Sequence, residues 1–65
     1  MTGKYTINAV DRAGVPWEVC MTDHKDSARE ILDAFRHRDY LHTRTYWVTL
    51  TDDPERGDVE DELYE

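Results

Sequence analysis

The stretch Ser27-Ala28-Arg29-Glu30-Ile31-Leu32-Asp33-Ala34-Phe35-Arg36-His37-Arg38 decides the fold. Ala28, Ile31, Leu32 and Phe35 fall at i, i+3, i+4 and i+7, which lines one side of an α-helix with apolar groups. Ser27 and Glu30 have the spacing of a capping box, and Asp23 or Asp26 offers an earlier N-terminal cap. Arg36, His37 and Arg38 occupy the expected last turn, where cations meet the negative end of the helix dipole. Start and stop signals agree on one amphipathic helix, whose single apolar stripe needs a second layer to cover it.

Working outward, both flanks change from a period of 3.6 to a period of 2. Tyr5, Ile7 and Ala9 alternate with Thr6, Asn8 and Val10, the pattern of a strand. Asp11-Arg12-Ala13-Gly14-Val15 supplies turn chemistry, with Gly14 suited to positive φ. Trp17, Val19 and Met21 then alternate with Glu18, Cys20 and Thr22, and Pro16 at the start of this run suits an edge strand. Beyond the helix, Tyr46, Val48 and Leu50 alternate with Thr45, Trp47 and Thr49. The order is ββαβ. With the third strand beside the first, this is an α+β fold with an antiparallel three-stranded sheet in order 2-1-3 and the helix on one face.

The expected core joins Tyr5, Ile7, Ala9, Trp17, Val19, Met21, Tyr46, Val48 and Leu50 to Ala28, Ile31, Leu32 and Phe35. The other sheet face carries Thr6, Asn8, Glu18, Thr45 and Thr49, as a solvated antiparallel sheet can. Trp47 also falls on that face. A slip of one residue would send it into the core instead, so the sequence leaves both placements open.

The charge is uneven. The chain has 15 acids against 8 Lys and Arg, for a net charge of −7. Residues 1–51 balance to zero, and residues 52–65 carry the excess in Asp52, Asp53, Glu55, Asp58, Glu60, Asp61, Glu62 and Glu65 against Arg56. Composition predicts one small domain over 1–51 and an acidic, flexible tail over 52–65. In the tail, Val59 and Leu63 at i, i+4 mark one apolar edge, with Tyr64 as a further anchor. Sixty-five residues give a marginal core. The single Cys20 excludes an internal disulfide framework and points to a reducing, cytoplasmic setting. No apolar run approaches the roughly 20 residues needed to cross a bilayer. Net acidity disfavours nucleic acid and anionic membrane as partners and favours a basic protein surface.

Chemical motifs are sparse. Arg36, His37, Arg38, Tyr40, His42, Arg44, Tyr46 and Trp47 interleave cations with aromatics, a composition that grips phosphates and stacks bases. Helix-end electrostatics explains the first three equally well. His37 and His42 lie on either side of the expected helix end, and no zinc or calcium spacing is present, so no metal or cofactor is expected. Nothing in the sequence joins Cys20 to His24 or His37 as a nucleophile and base, and no catalysis is expected.

Trp17-Glu18-Val19, a short polar turn, Ala28-x-x-Ile31-Leu32 and the third strand together resemble the small phage-encoded inhibitors of bacterial RNA polymerase. The resemblance covers about residues 4–51. It implies a non-catalytic protein that occupies a surface of a larger host protein. In that family arginines near the third strand contact the polymerase; Arg44 stands nearby here, but its neighbours do not match well enough to carry the role over. The expectation is a phage-like binding protein whose tail acids steer association with a basic surface, with Arg44 and Trp47 as short-range anchors. Two other classes stay open: a homodimer through the Trp47 face, and a nucleic-acid binder using the Arg36–Trp47 segment with the tail as competitor.

Overall fold

The computed structural model describes residues 3–39, 41 and 43–65. Strands β1 (Tyr5–Val10) and β2 (Pro16–Thr22), helix α1 (Lys25–Arg38) and strand β3 (Thr45–Leu50) follow in the expected ββαβ order. All pairing is antiparallel and the sheet order is β2-β1-β3. The β1–β2 turn closes through Gly14 N–H to Asp11 O at 3.1 Å and Ala13 N–H to Asp11 Oδ1 at 2.8 Å. Gly14 sits at φ 81°, where a side chain would be strained.

Helix α1 begins two residues before Ser27. His24 is its N-terminal boundary and makes no side-chain cap, so the capping-box reading does not hold. Asp23 is used elsewhere: its Oδ1 accepts the Lys4 N–H at 3.2 Å and ties the helix approach to the start of β1. Arg36, His37 and Arg38 do fill the last turn.

Strand β3 pairs with β1, Tyr5 with Leu50, Ile7 with Val48 and Ala9 with Tyr46, which puts the expected apolar faces of both strands together. Strand β2 does not alternate as expected. Ile7 pairs with Cys20 and Asn8 with Glu18, so Val19 is an extra residue in a bulge. A one-residue insertion reverses side-chain parity for the rest of the strand. Cys20 and Thr22 therefore share the face of Ile7 and Tyr5, while Met21 is opposite Thr6 on the open face and stays exposed. Trp17, opposite Ala9, keeps the helix-side face but lies at the sheet margin and is also exposed. The expected core positions Trp17 and Met21 are corrected on this ground.

The main correction concerns residues 52–65. They form part of the body. After Leu50 the chain turns through a bridge from Leu50 to Asp53 and a 3₁₀ turn, Pro54–Arg56. Gly57 at φ 86° redirects it along the outer edge of β3, where the Val59 N–H donates to Val48 O at 2.8 Å. A second 3₁₀ turn, Glu60–Tyr64, then packs on α1 and β3. Val59 and Leu63 are buried in one cluster with Tyr5, Ile7, Ala9, Ala28, Leu32, Tyr46 and Val48.

Both sheet edges are therefore blocked, by different means. The tail covers β3. Along β2, Pro16, the charged Glu18 and the Val19 bulge disfavour addition of another strand.

Candidate functional site

The tail is held by contacts that follow from the spacing of cations on α1. Lys25, Arg29 and Arg36 are separated by four and seven residues, which keeps them on one helix flank. Arg36 forms a two-pronged pair with Glu60, Nη1 to Oε2 at 2.7 Å and Nη2 to Oε1 at 2.6 Å. The same Nη2 also donates to Tyr46 O at 3.0 Å, so one guanidinium joins α1, β3 and the tail. Arg29 Nη1 donates to Leu63 O at 3.1 Å, and Lys25 Nζ donates to Glu65 O at 2.7 Å. The tail thus descends α1 from Arg36 toward Lys25, antiparallel to the helix.

Charge-assisted bonding shifts both members of the central pair. The hydrogen bond from Arg36 holds the Glu60 carboxyl below its ordinary range, against partial desolvation. The reciprocal bond holds the Arg36 guanidinium up. Asp58 Oδ1 accepts the Glu60 N–H at 3.0 Å and the Val48 N–H at 3.4 Å, which fixes the corner where the tail meets β3. Arg56 Nη2 meets Glu62 Oε1 at 3.1 Å within the tail.

The acids expected to bind a partner therefore separate into two sets. Asp58, Glu60 and Glu62 are used within the molecule. Asp52, Asp53, Glu55 and Asp61 are exposed and make no ion pair among the described residues. The Glu65 side chain is exposed at the chain end. Tyr64 is exposed three residues after Asp61, and side chains so spaced on a 3₁₀ turn point the same way. With Arg29, Glu30 and Asp33 of α1, Tyr64 lines a shallow depression of about 270 Å³. Nothing in the order of the chain joins Glu30 and Asp33 to the tail, because only the folding-back of 60–64 places them together.

Arg44 and Trp47 are not brought together. The Arg44 guanidinium lies over the Trp17 ring, 5.5 Å from its centroid, on the helix side of the sheet. Trp47 is opposite Asn8 on the open face, half-buried. That face is not solvated throughout as expected: Thr6 and Thr49 are buried in it, and it is knit by Asn8 Nδ2 to Thr49 Oγ1 at 3.0 Å and by the Thr6 and Thr51 hydroxyls at 2.7 Å. Within the basic-aromatic segment, Tyr40 and His42 lie outside the described residues. Asp39 organises the rest, accepting from Thr43 N–H at 3.2 Å, Thr43 Oγ1 at 2.8 Å and Arg44 N–H at 2.8 Å. Desolvation opposes its ionisation, but these bonds outweigh it and hold the carboxyl below its ordinary range. Arg36 is occupied by Glu60, while Arg38 and Arg44 make no ion pair among the described residues and lie over the Phe35 and Trp17 rings.

Cys20, turned toward the helix by the bulge, has its thiol pKa pushed up by burial. Fewer thiolates at neutral pH mean slower attack. Alkylation of native protein at pH 7.5 is expected to run several-fold slower than in denaturant; equal rates would contradict this placement.

Among the described residues no helix is long and apolar enough to cross a membrane, and no group of three or more His, Cys, Asp or Glu side chains is arranged to hold a metal ion. Comparison with known protein families, with curated proteins and with solved structures finds no match.

Proposed function

We propose that this chain is a small non-catalytic binding protein, comparable in role to the phage inhibitors it resembles, which engages a basic surface of a larger host protein. One observation carries the reading. Asp52, Asp53, Glu55 and Asp61 are exposed and unpaired among the described residues, on a segment anchored to the core by Val59 and Leu63. Acids on an anchored segment keep their spacing, so less ordering entropy is lost on binding than with a free tail. Their field steers a cationic partner and falls with ionic strength. Tyr64 replaces Arg44 and Trp47 as the short-range anchor, since it is exposed on the same turn as Asp61. Aromatic residues of this kind commonly dominate interface energies.

The test is a pull-down from bacterial lysate over a salt series, using the wild type and a variant carrying Asp52→Asn, Asp53→Asn, Glu55→Gln and Asp61→Asn. None of these side chains supports the core, so the thermal midpoint should hold. Once a captured protein is purified, its association rate at low salt should fall at least about tenfold for the variant. Capture that is indifferent both to salt and to the four substitutions would remove the proposal.

A further inference from the structure

The contacts that seat residues 58–65 have the form of a peptide held in a groove. Val59 and Leu63 fill two apolar positions. The backbone is gripped at Val59 N–H by Val48 O, at Leu63 O by Arg29 and at Glu65 O by Lys25. One charged side chain, Glu60, is read by the Arg36 fork. Strand-edge pairing plus alternate side-chain pockets is a general mode of peptide recognition. Here the ligand is covalently attached.

Its connector is held by short-range backbone bonds, Asp53 N–H to Leu50 O, Arg56 N–H to Asp53 O and Gly57 N–H to Pro54 O, each at 3.2 Å. Asp52, Asp53, Pro54, Glu55 and Arg56 are exposed and contribute nothing to the buried cluster. The connector and the residue after it carry Asp52, Asp53, Glu55 and Asp58 within seven consecutive positions, with Arg56 turned to Glu62. Like charges at short range repel, and a straightened connector relieves that repulsion. Fully extended, the six residues 52–57 span roughly 20–22 Å. The body measures 28 × 22 × 21 Å, so a straightened arm reaches a neighbouring molecule.

We propose that the groove between α1 and the β3 edge accepts residues 58–65 of a second copy of this chain, giving an arm-exchanged dimer. Each of these arm–groove contacts re-forms between copies, which is why exchange of an identical element costs little. A short connector keeps its own arm at an effective concentration of about millimolar. Exchange therefore becomes prominent near that protein concentration, or when chains refold together. The dimer presents two copies of the Asp61–Tyr64 turn. The inference does not depend on the proposed host partner, because it concerns the chain alone.

The deciding experiment uses complementary charge reversals. Arg36→Glu spoils the groove and leaves the arm intact; Glu60→Arg spoils the arm and leaves the groove intact. Either variant alone mismatches residues 36 and 60 in the monomer and in its own exchanged dimer. Refolded together at millimolar concentration, the two match at both sites only as an exchanged heterodimer. Native mass spectrometry should show that heterodimer at least tenfold above either homodimer. Because a charge reversal can itself prevent folding, a second arm uses ¹⁵N-labelled and unlabelled wild type refolded together. Mixed dimers are expected, and deleting residues 53–55 should increase them. A heterodimer no more abundant than the homodimers would overturn the proposal, as would wild type that stays monomeric at millimolar concentration. Wild-type dimers abolished by Trp47→Thr, with no preference in the charge-reversed mixture, would assign dimerisation to the open sheet face instead.

Discussion

Replacing Leu63 with alanine is expected to cost about 2–5 kcal/mol, the range for truncating a leucine in a packed core. Leu63 has 0% exposure and closes the space between α1 and β3 beside Leu32 and Val48. A chain of this length has a total stability of about 3–10 kcal/mol, so this one change should remove much of it. Urea denaturation monitored by tryptophan fluorescence measures the loss. Tyr64→Ala, one residue later, removes a larger side chain that is 57% exposed. It should shift the midpoint by no more than about 0.5 kcal/mol, the usual range for surface changes. If the two substitutions had equal small effects, the tail would be an appendage after all, and the packed arrangement would be wrong. Removal of residues 58–65 should be more severe than Leu63→Ala, because it also bares the β3 edge and the groove.

The second large effect belongs to Arg36. Exposed ion pairs commonly contribute about 0.2–1 kcal/mol. The Arg36 pair exceeds that class because it is two-pronged and shares a donor with Tyr46 O, though at 42% side-chain exposure Arg36 remains partly screened by water. Arg36→Gln is therefore expected to lose about 1–2 kcal/mol, within the usual value of hydrogen bonds to charged groups. Glu60→Gln should lose less, since the Tyr46 bond survives, and the double variant should fall short of the sum. The pair also sets a pH dependence. Glu60 has a folded pKa below its unfolded value, so its contribution is fully present above the unfolded carboxyl range and fades as pH falls through the lower folded value. Stability of the wild type should drop below about pH 4, near the ordinary glutamate pKa, and the drop should be shallower in Glu60→Gln. An identical acid profile in both proteins would exclude this linkage.

These expectations turn on residues that the chain shows in plain order but whose meaning depends on folding. Val59 and Leu63 stand out at i, i+4 in an acidic segment, and that spacing correctly marks an apolar edge. It does not say which surface the edge meets. The local composition of 52–65 is too polar to order by itself, so composition alone assigns it to a flexible tail. What orders it is the groove left where one helix meets the outer strand of a narrow sheet, together with the three cations on one flank of α1. The expected site residues redistribute for the same reason: Glu60 and Asp58 are consumed by the fold, while Asp52, Asp53, Glu55 and Asp61 remain outward.

The sequence by itself determined the ββαβ order and the helix with its basic last turn; the β1–β3 register, and with it the open-face position of Trp47, came from the fold. These follow from periodicity and end signals, which act between residues close along the chain. Only the tertiary structure decided that Val19 is a bulge, that Met21 therefore points outward and Cys20 inward, and that the acidic end belongs to the core. A bulge depends on how one strand meets its partner, and burial of a polar segment depends on a cavity formed by residues far away in sequence. Neither quantity is local, so neither can be read from the pattern of neighbours.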